Sequence, residues 1–103
     1  MRGMNDLMRQ AQMMQKKMEK LQAELKTREV EAGAGGGMVS VTATCAGEVK
    51  AIRIDPACVD PGDVEMLQDL VLAAVNEAVK KGKETAEAEM KTITGGVNIP
   101  GLF

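Results

Sequence analysis

Apolar residues recur at Met4, Leu7, Ala11, Met14, Met18, Leu21 and Leu25, in alternating steps of three and four. That is an a/d heptad spacing held for three repeats, the pattern of an amphipathic helix with a narrow apolar seam. Asn5 or Asp6 is placed to cap its start. About 22 helical residues make a rod of roughly 33 Å. Met8 and Met13 widen the stripe. The period then changes to two. Glu29, Val30, Glu31 and Ala32 alternate, the glycine-rich "GAGGG" at residues 33–37 reads as a hairpin turn, and "MVSVTATCA" at residues 38–46 alternates again. Val39, Val41, Ala43 and Cys45 fall on one face of that strand, and Ser40, Thr42 and Thr44 on the other. Gly47 and Glu48 turn the chain into a third short strand, "VKAIRI" at residues 49–54. Consecutive short strands joined by short turns predict an antiparallel meander.

Asp55-Pro56 ends the sheet, because proline cannot donate to a ladder. "DPGD" at residues 60–63 combines a capping acid, a proline for the first turn and acids at the positive helix end, so it predicts a helix start. The second long helix spans about residues 64–93, within a segment taken as 61–93, and Leu67, Leu70, Val71, Ala74, Ala78 and Thr85 form its apolar face. Gly82 is a weak point inside it, at about 1 kcal/mol relative to alanine. "TGGVNIPGLF" at residues 94–103 stops the helix and supplies an apolar tail. The predicted fold is α+β, in the order α-β-β-β-α: a helix over 1–28, an antiparallel three-stranded sheet over 29–54, a second long helix and the tail. A chain of 103 residues is one domain. A small sheet covers only part of two long helices, and the composition holds one Phe and no Trp or Tyr. Burial is therefore scarce, and a second copy of the chain is the economical partner for the remaining apolar surface.

Charge changes the picture further. The chain is net −2, but residues 1–28 carry seven Lys/Arg against three Asp/Glu, while residues 29–103 carry six against twelve. With Met4 at position a, Arg2, Arg9 and Lys16 share position f, opposite the seam; Lys20 falls at c, Lys26 at b and Lys17 at g. The first helix thus has a cationic back, interleaved with Gln12 and Gln15, and repeating about every 10.5 Å. Such a ridge suits phosphates, where each cation releases condensed counterions without reading sequence. Lys80, Lys81, Lys83 and Lys91 on the second helix form a weaker additional set, because Glu84, Glu87 and Glu89 lie among them. The seam residues expected to pack or to join two copies are Leu7, Ala11, Met14, Met18, Leu21 and Leu25. With no aromatic on this helix, base stacking is not the mode of binding, which favours the backbone of duplex DNA over single strands.

Catalytic and metal chemistry find no foothold. There is no histidine, so the usual base near neutral pH and the commonest metal ligand are missing. Cys45 and Cys58 have no CxxC spacing and cannot close a four-ligand zinc site alone; buried structural thiols are the expectation. The glycine turn lacks the GK[ST] ending of a phosphate loop and leads into a strand. Asp60, Asp63, Glu65 and Asp69 lack EF-hand spacing. No catalytic residue, cofactor, metal or small-molecule substrate is predicted. The longest wholly apolar run, residues 70–75, is too short to span a bilayer, and no signal peptide opens the chain.

In order along the chain, four segments resemble the YbaB/EbfC family of bacterial nucleoid-associated proteins. The first helix carries Leu7, Met8, Gln10, Ala11, Gln12, Met14 and Gln15 of an LMxQAQxMQ run. "GGGMVSVTATCAGEVKAIRIDP" resembles the sheet segment, "DVEMLQDLVLAAVNEA" the second-helix signature, and "TGGVNIPGL" the closing motif. Val75 stands where many members carry an aromatic, and Cys45 where a polar residue is common. The resemblance implies a homodimer with protruding helices, DNA binding with little sequence preference through the terminal helical regions, and a place at the nucleoid in the cytoplasm. The expectation is a dimeric architectural protein on duplex DNA. The alternative is a coiled-coil adaptor that receives partner helices on its methionine-rich stripe. Association of a basic amphipathic helix with a membrane surface is a third reading, disfavoured by the lack of Trp and Phe on the helix.

Overall fold

The computed structural model describes residues 2–94. Helix α1 spans Arg2–Thr27. Strands β1 (Glu29–Ala34), β2 (Val39–Thr44) and β3 (Val49–Ile54) come next, then a short 3-10 turn at Pro56–Cys58 and helix α2 over Val64–Thr94. The sheet is antiparallel in the order β1-β2-β3, as the alternation predicts. The tail at residues 95–103 lies outside the described residues.

The elements depart from the sequence reading at three joints: α1 already begins at Arg2, so Asn5 and Asp6 lie inside the helix and neither caps its start. β1 continues through Gly33 and Ala34, which pair with Ser40 and Val39, so the turn occupies residues 35–38. Gly35, Gly36 and Gly37 take positive φ angles of 65°, 68° and 92°, a run that only glycine adopts without strain. The helix start also shifts. Asp60 Oδ1 accepts from the Gly62 amide at 2.8 Å, and Asp63 Oδ1 accepts from the Met66 amide at 3.2 Å. Asp63 is therefore the cap, and Pro61 belongs to the turn before the helix rather than to its first turn.

α2 lies across β1 and β2 and barely reaches β3. Val39, Val41 and Ala43 from β2 and Ala74 and Ala78 from α2 are fully buried between them, joined by Cys58 from the end of the 3-10 turn. The alternation of β2 thus points as predicted, and the apolar face of α2 is the predicted one. Thr85 is half-buried and its Oγ1 donates to the Lys81 carbonyl at 2.9 Å. The largest wholly buried side chains are Val39, Val41 and Thr44. Small residues at the contact let the helix approach the sheet closely, but they bury little apolar area each.

The second cluster joins the helices. Leu21, Leu25 and Cys45 pack with Val30, Ala86, Met90 and Ile93. α1 and α2 run antiparallel here, because the end of α1 meets residues 86–90 while Met14 and Met18 lie beside Thr94. The Arg28 guanidinium holds Glu89 Oε1 at 3.1 Å. Beyond this contact α1 continues alone: residues 3–13 are all exposed. That unpaired length is about 16 Å.

Candidate nucleic-acid interface

A helix that outruns its partner presents every face to solvent, so what it carries on each face becomes available. Arg9, Lys16, Lys17, Lys20 and Lys26 are all exposed, and among the described residues none of them forms an ion pair. Arg2 opens the helix, but its side chain lies outside the described residues. Arg9 and Lys16 sit on the line opposite the apolar seam. Lys17 and Lys20 instead rim a groove between the helices, with Leu21, Glu24, Glu89, Thr92 and Ile93. The basic residues therefore form an outer line and a flank rather than one ridge. The flank is partly countered by Glu24 and Glu89.

The second helix contributes unequally. Lys80, Lys83 and Lys91 are exposed and unpaired among the described residues. Lys81 is engaged: its Nζ donates to the Glu31 carbonyl at 2.9 Å and ties α2 to β1. Lys91 stands in the last turn of α2, at the same end of the molecule as the free arm. Arg28 belongs to the basic end of the sequence, yet its charge is taken up by Glu89. Neither engagement has a sequence signal, since both partners are distant in the chain. Arg53 is not among the expected contacts; it is exposed on β3, paired in register with Ser40 on the sheet face away from α2.

The seam residues divide. Leu21 and Leu25 are buried against α2 of the same chain, Met14 and Met18 are half-buried, and Leu7 and Ala11 are exposed. Met4, Leu7, Met8 and Met13 remain between 53% and 70% exposed. A second apolar surface lies on β3. The register pairs Ile54 with Val39, Ile52 with Val41 and Val49 with Ala43, across a bulge between Thr42 and Ala43. Directly paired residues share a sheet face, so these three point to the side that α2 covers elsewhere. They are nonetheless exposed, because α2 stops short of them. Leu67, Gln68, Val71, Leu72 and Val75 line a shallow apolar groove on α2.

Both cysteines are free and buried, and the Cys58 thiol donates to the Asp55 carbonyl at 3.1 Å. Among the described residues no cluster of His, Cys, Asp or Glu has the composition of a metal site, and no helix is long and apolar enough to cross a membrane.

The arrangement has relatives. A nucleoid-associated protein of Alkaliphilus metalliredigens is 57% identical over 101 residues, covering 98% of this chain and 89% of its own. One from Acetivibrio thermocellus is 58% identical over 102 residues, covering 98% and 90%. In three dimensions the chain is similar to the crystal structure of an uncharacterized protein from Helicobacter pylori. That protein is 27% identical, with a TM-score of 0.70 over 82% of this chain and 89% of the other. The YbaB/EbfC DNA-binding family model matches residues 1–97, a span that takes in the first helix, the meander and the capped second helix: the chain belongs to the YbaB/EbfC DNA-binding family.

Proposed function

We propose that the protein binds duplex DNA at the nucleoid, as an architectural component without catalysis, by laying the cationic back of α1 along the phosphate backbone. The observation that carries this reading is the exposed cationic line of α1: Arg9 on the free arm, and Lys16, Lys17 and Lys20 where α1 begins to meet α2, are exposed and form no ion pair among the described residues. The helix spacing of seven residues is about 10.5 Å, the length over which a duplex carries roughly six charges. Contact of this kind holds DNA without reading bases. Lys26, Lys80, Lys83 and Lys91 extend the field, and Arg2 falls on the same line as Arg9 and Lys16. Lys81 contributes less, being tied to β1.

The functional unit in this reading is a homodimer. β3 is an edge strand of the sheet and carries exposed Val49, Ile52 and Ile54, and α2 carries a shallow apolar groove of its own. An uncovered apolar strand edge invites pairing, and a twofold contact between identical patches closes it. Joined there, two chains carry two arms.

The test is a gel-shift series on duplex DNA with Arg9, Lys16, Lys17 and Lys20 changed to Glu. Binding is expected to be lost at low salt, and the unaltered protein is expected to weaken steeply as salt rises. Unchanged affinity of the variant at low salt removes the arm from the mechanism. The exposed Met4, Leu7 and Met8 favour a second reading, a protein-interaction adaptor. It predicts a stable protein partner from nuclease-treated lysate and affinity that ignores salt.

A further inference from the structure

We infer that the arm of α1 pairs antiparallel, along its apolar side, with the arm of a second molecule, and that it does so where DNA brings the arms together. α2 takes part of the seam for itself. Leu21 and Leu25 are buried against it, and its end reaches Met14 and Met18 through Thr94. What remains is the stretch from Met4 through Leu7 and Ala11 to Met14, about 15 Å long. Met4 and Leu7 are 69% and 70% exposed, Ala11 is exposed and Met14 is half-buried.

The side-chain sizes along that stretch complement their own reversal. Set head to tail about a twofold axis level with Arg9, Leu7 lies on the partner's Ala11 and Met4 on the partner's Met14, each contact occurring twice. A large side chain meets a small one in both central layers, and adaptable methionines close the ends. A parallel pair would set Leu7 against Leu7 and leave a gap between two alanines.

Charge selects the same partner and the same direction. Met8 and Gln10 border the seam near the axis, while Asp6 and Arg9, the charged residues of the arm, sit on its outer positions. The face offers nothing to a charged peptide, and two copies meet on it without like charges in contact. Residues 29–103 carry six Lys/Arg against twelve Asp/Glu, so two bodies repel, and the antiparallel arrangement holds them at opposite ends. The arms repel as well, since residues 1–28 carry seven Lys/Arg against three Asp/Glu. A seam this short and one helix wide stays well below the roughly 1,200–2,000 Å² of a stable interface. Pairing is therefore absent in dilute solution. Phosphates bring it about by neutralising the cationic backs and concentrating the arms. Arg9 and Lys16 remain on the far side of each helix, free for DNA. The dependence on DNA rests on the proposed function; the complementarity of the seam does not.

Disulfide trapping tests the pairing. L7C and A11C chains, prepared separately, are mixed in equal amounts and oxidised on a long duplex near saturation; the native Cys45 and Cys58 are buried. The mixed L7C–A11C disulfide is expected to exceed clearly the half share that random encounter gives. An excess of L7C–L7C and A11C–A11C products would mean parallel arms, and a random distribution would mean no pairing; either overturns the inference. The same mixture, concentrated in about 1 M salt without DNA, should show the same excess, because screening there stands in for phosphate. The uncharged L7Q protein should bind a short duplex that holds one molecule with unchanged affinity, yet lose the cooperativity of the unaltered protein along a long duplex. Cooperativity that survives L7Q overturns the inference. If the unaltered protein binds neither duplex, the proposed function fails, and the disulfides formed in salt still decide the pairing.

Discussion

In a helix interior glycine costs about 1 kcal/mol relative to alanine, so Gly82 taken alone invites replacement. Its surroundings reverse the sign. A Cβ at this position would meet the Thr44 carbonyl oxygen at 2.9 Å and the Cys45 Cα at 3.3 Å, both backbone atoms that no side-chain rotation removes. Overpacking of this kind costs about 1–3 kcal/mol, which exceeds the gain in helix propensity. G82A is expected to lower the urea midpoint with an unchanged m-value; a rise in the midpoint would show that the sheet gives way freely. Lys81, one residue earlier, has the same property of meaning more in three dimensions than in the sequence. Its Nζ rests on the Glu31 carbonyl. Lys81→Gln is therefore expected to affect DNA binding less than Lys16→Gln, measured side by side by fluorescence anisotropy on one duplex.

At the scale of elements, α1 is two half-helices under one periodicity. Leu21 and Leu25 are 6% and 4% exposed, packed on Ala86, Met90 and Ile93, whereas Leu7 is 70% exposed. Leu21→Ala or Leu25→Ala should cost about 2–5 kcal/mol of folding stability, and Leu7→Ala a small fraction of that, as read from thermal or urea unfolding. Equal costs would mean that the whole seam is covered alike. This contrast explains which features are legible in the sequence. The heptad steps identify the apolar face and the period-two runs identify three strands, because both derive from backbone geometry. The face of β2 that is buried is readable from Val39, Val41 and Ala43 for the same reason. Who covers an apolar stripe is not readable, since a/d spacing looks alike for a zipper and for packing against α2. The joints mislead where glycine and proline serve two structures: Gly33 reads as a turn but pairs with Ser40, and Pro61 reads as a first-turn residue but precedes the Asp63 cap. At the candidate interface, exposure of the lysines is set by the heptad position. Their pairing is not, because the partners Glu31 and Glu89 are brought in by the fold.

At the scale of the whole molecule, the exposed apolar surface of β3 and the cationic line of α1 lie on different elements, and this allows assembly and DNA binding to be separated. Ile52 is 47% exposed in the single chain; if two copies join at β3 as proposed, I52K should leave the chain folded by circular dichroism while reducing its mass in sedimentation from two copies to one. A folded I52K protein that still sediments as a dimer would move the interface elsewhere. If the arms bind independently once per chain, the salt dependence counts them. Each phosphate contact contributes about 0.9 to the slope of log K against log salt. Lys16→Gln should then reduce the slope of the dimer by about 1.8, from one contact on each of two arms, but that of the I52K monomer by only about 0.9. The parent I52K protein should itself show roughly half the dimer's slope. Equal slopes for monomer and dimer would mean that a single arm touches DNA at a time, and the second copy would then serve to bring another duplex within reach rather than to strengthen the grip on the first.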